Sequence, residues 1–200
     1  MKNKSLHRLE LEKIIKKIFP KLEGEVLDIG SKNRAYDYLF KNKPTAVDLV
    51  ENKEIDVLAG DINDLKFKSE SFDSVICLEV LEYIDTPQKA ADEIYRVLKI
   101  GGEVVVSAPF MLKVHNDKIR YTDKYLCELF KNFKSINIIY IGNFYTIILD
   151  ILRKKIIDIK FSPLKYLLAI LYLPLLIFLP VSRLSKDRNF VSGYVLIAEK

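Results

Sequence analysis

Aspartates at the ends of predicted strands are the residues of this sequence best placed to bind a ligand. Asp28 closes the first apolar run, Asp48 the second and Asp61 the third. A carboxylate at a buried strand end is costly unless it finds a partner, so the three together outline a polar crevice. Asp48 follows Gly30 by close to the separation at which an acidic residue accepts ribose hydroxyls. The pattern therefore indicates a nucleoside ligand, and Asp48 would repel a phosphate on that ribose.

The turn after the first predicted strand carries a single glycine, Gly30, in the stretch VLDIGSKNRAY. Dinucleotide-binding turns normally use three glycines, two of which let the backbone approach a phosphate. A pyrophosphate would therefore lose backbone donors at this turn. The sequence favours a ligand without a phosphate, and a nicotinamide-dependent oxidoreductase is the alternative.

A sheet must bring these acids together, and the sequence alternates between strand and helix signals. A helix is predicted over DTPQKAADEIYRVLKIGGE, with Thr86 as its cap and Gly101 as its end, and another over YTDKYLCELFKNF, with Thr122 as its cap. The alternation predicts an α/β fold: a Rossmann-like, seven-stranded, mostly parallel sheet with helices on both faces. In such sheets the ligand binds beyond the carboxyl ends of the strands. The predicted strands are GEVLDIG, TAVDLV, IDVLAGD, FDSVICLEVL, GEVVVSAPF, SINIIYIG and GYVLIAEK.

The composition is that of one globular domain over residues 1–200, with 50% hydrophobic and 30% charged residues. The net charge of +5 fits an anionic membrane surface or an acidic substrate as well as nucleic acid. Cys77 and Cys127 are isolated, so we expect neither a metal site nor a disulfide framework, and a reducing cytoplasm is the natural location. The amino-terminal stretch predicts an amphipathic helix whose apolar residues are Leu6, Leu9, Ile14, Ile15 and Ile18.

Five segments in order resemble the class I S-adenosylmethionine-dependent methyltransferases, of the methyltransferase type 11-like kind. The resemblance covers about residues 23–133 and the closing strand, although GSKNR stands where the family often has GxGxG. It implies S-adenosyl-L-methionine as cofactor, and this molecule has no phosphate, so one glycine suffices. The segments are VLDIGS, AVDL, GDINDLKFKSESFDSVICLEVLEYI, IYRVLKIGGEVVVSAPF and GYVLIAEK.

The resemblance also implies roles for residues at the strand ends. Asp28 would flank the methionine moiety, Asp48 would accept the ribose hydroxyls, and Asp61 would take the exocyclic amine of adenine. From the residues alone, Asp28 could instead cap a turn, and Asp61 could form an Asx turn with Asn63. The predicted cofactor-binding residues are Asp28, Gly30, Ser31, Asp48, Asp61 and Ile62.

Two side chains are the candidates for catalysis. Glu79 follows the fourth predicted strand, where the resemblance implies the methyl-transfer crevice. His115 lies on the polar stretch HNDKIRYT after the fifth strand and is the candidate general base, with Asp117 as its orienter. The alternatives are a solvated loop histidine and an acid at a solvated helix start.

Residues 144–190 form an apolar helical insertion before the last strand, and its core YLLAILYLPLLIFLPVS is uncharged. Seventeen helical residues reach about 26 Å, short of a ~30 Å hydrocarbon core, and Pro174 would kink them. Basic residues flank both ends, so we expect a monotopic hairpin on the cytoplasmic membrane face. Alternatives are a lid or a dimer face. The expected acceptor is a small molecule or a lipid-linked group, without nucleic acid, unless the chain is a non-catalytic, membrane-tethered binding protein.

Overall fold

The structure is a computed structural model that describes residues 4–111, 117–182 and 188–200. Its centre is one seven-stranded sheet in the order β3-β2-β1-β4-β5-β7-β6. All seven predicted strands are confirmed. They are β1 Val26–Ile29, β2 Thr45–Asp48, β3 Val57–Ala59, β4 Phe72–Leu78, β5 Leu98–Pro109, β6 Lys134–Ile141 and β7 Gly193–Glu199.

The sheet is mostly parallel, as predicted, and its exception is the last strand. β3, β2, β1, β4 and β5 pair in parallel, whereas β7 runs antiparallel to both β5 and β6. β6 and β5 both end where β7 begins, since Gly193 pairs with Ile141 and with Pro109. The chain therefore enters β7 from the same edge at which β6 leaves the sheet.

The described residues form six α-helices. Thr122 caps α3 as predicted, because its Oγ1 accepts a hydrogen bond from the Tyr125 amide at 3.2 Å. Thr86 precedes α2, but its hydroxyl donates to Asn63 Oδ1 rather than capping the helix. The helices are α1 Leu6–Ile18, α2 Pro87–Val97, α3 Asp123–Leu129, α4 Phe144–Asp158, α5 Ser162–Tyr172 and α6 Leu179–Ser182.

Hydrophobic cores on both faces of the sheet confirm the predicted layers. Along β4 the side chains alternate: Val75 and Cys77 pack in the core that contains α2 and α3, and Ile76 packs in the core that contains α1. β5 repeats the alternation, with Val105 on the α1 side. Period-two alternation with both faces buried is what a central strand between two helical layers requires.

The buried face of α1 differs from the prediction. His7, Leu11 and Ile15 are buried, four residues apart, and Leu9 is 40% exposed. The apolar periodicity did not include His7, because a histidine is not counted as a core residue. The predicted residues Leu6, Ile14 and Ile18 are only partly buried.

An aspartate on α4 holds the first turn of α1. Asp150 Oδ1 accepts from the Leu6 amide at 2.8 Å, and Asp150 Oδ2 accepts from the His7 amide at 2.9 Å. These amides are among the donors at a helix start that lack partners within the helix. A negative charge there is also favoured by the helix dipole. α4 therefore sets the position of α1 on the sheet.

The predicted apolar insertion, residues 144–190, begins with α4, and its described part beyond α4 is little buried. α5 has no buried residue, and the α-helix ends at Tyr172, after which 173–178 forms 3₁₀ turns with Pro174 near their start. No helix within the described ranges combines the length and apolar character that crossing a membrane requires.

We expect Asp150→Ala to lower the free energy of unfolding by about 1–3 kcal/mol, because the buried His7 amide and the partly buried Leu6 amide would lose their acceptor. Urea denaturation measures this value. Asp158→Ala, at the exposed end of the same helix, is the matched control and should change little. Equal stability of the two variants would contradict the role assigned to Asp150.

Candidate active site

The carboxyl ends of β1, β2 and β4 lie side by side at one end of the sheet, which is called the carboxyl edge below. Ile29 pairs with Val47 on β2 and with Cys77 on β4. Beyond this register, the Gly30 amide donates to the Val47 carbonyl at 2.8 Å. Side chains that follow these three strands are therefore neighbours along one edge.

Gly30 is required at the tip of β1 by both conformation and space. Its φ is +77°, in the left-handed region that glycine adopts most easily. A Cβ at this position would lie 2.2 Å from Val80 Cγ2. The turn therefore brings the backbone of β1 against the residues that follow β4.

Arg34 anchors the same turn. Its side chain is 6% exposed and pairs with Asp37 at 2.6 Å. Its other nitrogens donate to the carbonyls of Asp56 and Pro44, both at 2.7 Å. The guanidinium thus joins the turn to the segments before β2 and β3.

Asp28 and Ser31 form the most buried polar part of this edge. Each is 8% exposed. Burial raises the pKa of Asp28 to about 6, while the nearby Ser31 hydroxyl lowers it by less. Ser31 Oγ has no hydrogen-bond partner of ordinary geometry within the described residues. A buried hydroxyl without a partner costs about 1–3 kcal/mol, so these two side chains fit a ligand with polar groups.

Asp48 and Asp61 lie at the tips of β2 and β3 in different environments. Asp48 Oδ2 accepts from the Lys32 amide at 3.0 Å, and its charge contributes to the raised pKa of Asp28. Asp61 is exposed, and its Oδ1 accepts from the Asn63 amide at 2.8 Å. The Asx turn between Asp61 and Asn63 that the sequence suggested is therefore present. Ile62, the residue between them, is buried.

Glu79 follows β4 in a strained conformation, with φ at +57°. Its amide donates to Ser107 Oγ at 3.1 Å, and Ser107 Oγ donates to Glu79 Oε1 at 3.0 Å. Positive φ in a residue other than glycine persists only where its surroundings impose it, and such residues concentrate at functional sites. β5 therefore holds the Glu79 carboxylate at the edge.

His7 is the site residue that the sequence analysis missed. Its Nε2 lies 3.3 Å from Glu79 Oε2, and its Nδ1 lies 2.8 Å from Ser192 Oγ. Its side chain is 7% exposed. The available signal was a histidine four residues before Leu11 on the same helical face, but nothing local pointed that face at β4.

Glu82 and Asp117 extend the acidic edge into the interior. Glu82 is 1% exposed, and burial followed by the Glu79 charge raises its pKa to about 8. One carboxylate oxygen of each residue, Glu82 Oε2 and Asp117 Oδ1, has no hydrogen-bond partner in the described part of the chain. Asp117 pairs with Arg120. The candidate base His115 lies outside the described residues.

Two surface cavities lie away from this edge. One, of about 230 Å³, is lined by Leu22, Gly24 and Val26 at the opposite, amino-terminal end of β1. The other, of about 220 Å³, lies between α1 and Leu179. Neither includes Asp28, Asp48 or Glu79, so the polar side chains at the carboxyl edge lie outside both cavities.

The strand order, with β7 inserted antiparallel between β5 and β6, and the acids at the carboxyl edge define the class I methyltransferase fold. Residues 25–106 match the family model of the methyltransferase domain. Residues 25–106 therefore carry a methyltransferase domain, and the chain as a whole has the fold of the class I S-adenosylmethionine-dependent methyltransferases.

Curated relatives match parts of the chain. An uncharacterised protein of Methanocaldococcus jannaschii is 30% identical over 125 residues, which cover 58% of this chain and 60% of that protein. The 2-methyl-6-phytyl-1,4-hydroquinone methyltransferase 2 of Oryza sativa is 31% identical over 75 residues, or 36% of this chain and 22% of that protein. The chain thus spans 60% or less of these relatives.

A solved structure shares the fold over nearly the whole chain. A SAM-dependent methyltransferase of Thermotoga maritima superposes with a TM-score of 0.62 and covers 98% of this chain and 91% of its own. The sequence identity is 19%. The likeness is therefore one of fold.

We expect Glu82 to make the free energy of unfolding depend on pH. The folded state holds its proton more tightly than the unfolded state, so the free energy of unfolding falls as pH rises from 4.5 towards about 8. Glu82→Gln removes this loss and should be more stable than the natural protein at pH 8, by at least about 1 kcal/mol, the worth of roughly one pKa unit. Urea unfolding at several pH values measures the difference.

At pH 5 the two proteins should differ little, because Glu82 is then protonated in the folded state. Glu51→Gln, at an exposed position, should leave the pH profile unchanged. A Glu82→Gln profile parallel to that of the natural protein would show that Glu82 carries no such proton.

Proposed function

We propose that this protein transfers a methyl group from S-adenosylmethionine to the hydroxyl of a small or lipid-linked acceptor at a membrane surface. The observation that carries the cofactor assignment is the buried pair Asp28 and Ser31 beside Gly30, with Asp48 at the next strand tip. The amides of Gly30 and Ser31 both donate to the Val47 carbonyl, and the Lys32 amide donates to Asp48. These three amides are therefore already used, which counts against a pyrophosphate and a nicotinamide cofactor.

The strand-tip residues would divide the cofactor between them. Asp28 and Ser31 would bind the methionine part, against which Gly30 brings the backbone. Asp48 would accept the ribose hydroxyls. Asp61, whose second oxygen is not used by the Asx turn, would meet the adenine together with Ile62.

The bound cofactor would supply an activated methyl group on a sulfonium. The protein's own work is then to position the acceptor for in-line attack, which is worth up to roughly 7–11 kcal/mol. A hydroxyl acceptor also requires a base. Glu79 is the half-buried carboxylate at the β4 tip that could take that proton.

Asp48→Ala should weaken S-adenosylmethionine binding by roughly 10–100-fold, as expected for lost hydrogen bonds to a charged group of about 1.5–3 kcal/mol. Isothermal titration calorimetry measures the affinity. Asp92→Ala, on the exposed face of α2, is the control and should bind like the natural protein. Unchanged affinity in Asp48→Ala would remove the ribose role from this residue.

The membrane part of the proposal rests on the insertion predicted over residues 144–190. Apolar side chains there face solvent, among them Ile177 at 73%, Tyr166 at 68% and Phe161 at 66% exposure. A concentration of exposed apolar side chains in one segment is typical of an interaction site. Exposed Lys154, Lys155 and Lys160 accompany it, and basic residues beside apolar ones favour an anionic lipid surface.

The insertion is also connected to the site through contacts. Tyr145 on α4 donates to the Leu175 carbonyl, and Asp150 on the same helix holds the start of α1. A membrane-bound insertion would thus place the His7 end of α1, and the crevice beside it, near the lipid. The rice relative is named for a hydroquinone acceptor, and acceptors of that class dissolve in membranes.

Ile170→Glu should reduce both co-sedimentation with phosphatidylglycerol vesicles and transfer of labelled methyl groups from S-adenosylmethionine to host membranes. A buried charge in the acyl region opposes insertion. The matched control is Ile100→Glu, because Ile100 is also highly exposed, at 76% against 64%, but lies outside the insertion, near the amino-terminal end of β5.

Label in the lipid extract with the natural protein and Ile100→Glu, and less with Ile170→Glu, is the expected result. Equal transfer and vesicle binding by both variants would contradict membrane contact through the insertion. Absence of label with the natural protein would contradict the lipid acceptor.

A further inference from the structure

We propose that His7 and Glu79 share one proton and act as a unit that removes the proton from the acceptor hydroxyl. Glu79 would touch the acceptor and act as the catalytic base, and His7 would be the positioning residue behind it. The inference rests on the proposed methyl transfer and assigns its proton acceptor, with a hydroxyl as the acceptor group.

The hydrogen bonds around His7 require a proton between it and Glu79. If Ser192 Oγ donates to the Ile141 carbonyl, 2.9 Å away, then Ser192 Oγ accepts from His7 Nδ1. The pair Nε2 and Oε2 then needs a proton from either group, since two bare acceptors 3.3 Å apart would repel. If Ser192 Oγ instead donates to Nδ1, the neutral imidazole carries its proton on Nε2 and donates to Glu79. Both arrangements place a proton between Nε2 and Oε2.

The pair is built from several elements and has little freedom. Asp150 fixes the backbone of His7, and Ser107 on β5 holds the second oxygen of Glu79. A Cβ on Gly193 would lie 2.8 Å from His7 Cε1 and 2.6 Å from the Ala108 carbonyl. The imidazole therefore packs directly on the start of β7, where only glycine leaves room for it.

The exposed fractions of the two side chains indicate which of them can reach the acceptor. The Glu79 side chain is 19% exposed and the His7 side chain 7%. Glu79 can therefore meet a ligand at the edge, with His7 behind it. Other ionisable groups facing Glu79 are Glu82 and Tyr83 on the following turn, and Asp117 and Arg120 act on Glu82.

The proposed step balances without a further reactant. The O–H bond of the acceptor breaks and its proton passes to the His7–Glu79 pair. The electron pair left on oxygen forms a bond to the methyl carbon. At the same time the carbon–sulfur bond breaks, and the two electrons of that bond remain on sulfur. The products are the methyl ether and S-adenosylhomocysteine, and the pair later releases the proton to water.

The first test needs no substrate. In ¹⁵N-histidine-labelled protein, a downfield proton on His7 Nε2 is expected in ¹H–¹⁵N spectra, and His7→Gln assigns it. Glu79→Gln keeps the side-chain shape but removes the charge, and it should shift or abolish this signal. Leu11→Val, one turn along the same buried face of α1, should leave it unchanged. An Nε2 without a proton, or a signal insensitive to Glu79→Gln, would overturn the shared proton.

The second test measures transfer from methyl-labelled S-adenosylmethionine to a detergent-dispersed lipid extract of host membranes. Glu79→Gln should lose about 10²–10⁴-fold in rate, the usual contribution of a general base, with cofactor affinity retained in calorimetry. His7→Gln should lose less and move the rising limb of the pH–rate profile, which a packing role would leave in place. Leu11→Val should retain both rate and profile.

The two tests separate the two proposals. If the natural protein transfers no label to the extract, the lipid acceptor of the proposed function fails, while the nitrogen spectra still decide whether the proton is shared. If transfer occurs and Glu79→Gln retains the natural rate, the catalytic assignment fails and the methyl transfer stands.

Discussion

Burial of carboxylates at the carboxyl edge of the sheet is the constraint on which this structure depends. Parallel strands end together, so the register of β1, β2 and β4 puts Asp28, Asp48 and Glu79 at the same end of the sheet. Removing such groups from water is costly unless partners are supplied. The raised pKa values of Asp28 and Glu82 show that this cost is met only in part. A site that holds unsatisfied polar groups is prepared for a polar ligand.

The elements added to the sheet supply the partners of these acids. Ser107 comes from β5, Ser192 precedes β7, and His7 comes from α1, which packs on one face of the sheet. Asp150 on α4 holds the start of α1, and α4 leads into the exposed apolar insertion. The contacts therefore form one continuous path from the apolar surface to Glu79. This path is the structural basis for proposing that acceptor entry and membrane contact occur at the same end of the molecule.

Much of the fold was predictable because its signals are local. β-branched runs ended by glycine or aspartate predicted all seven strands, and Thr122 was identified as a cap from its position alone. The aspartates were also predictable, since a parallel sheet leaves its strand ends on one edge whatever the loops do. His115 falls on residues that the structure does not describe, so its predicted role stays a prediction.

The sequence by itself determined the strands, their two-sided burial and the acids at their tips, because these follow from periodicity and from the short-range preferences of single residues. Tertiary structure alone decided that Arg34 anchors a turn, that β7 runs antiparallel, and that His7 faces Glu79 across 72 positions of the chain. Contacts between distant segments depend on how helices dock on the sheet. That docking is set by packing and by long-range hydrogen bonds such as those that Asp150 accepts from α1. No local sequence pattern encodes such contacts.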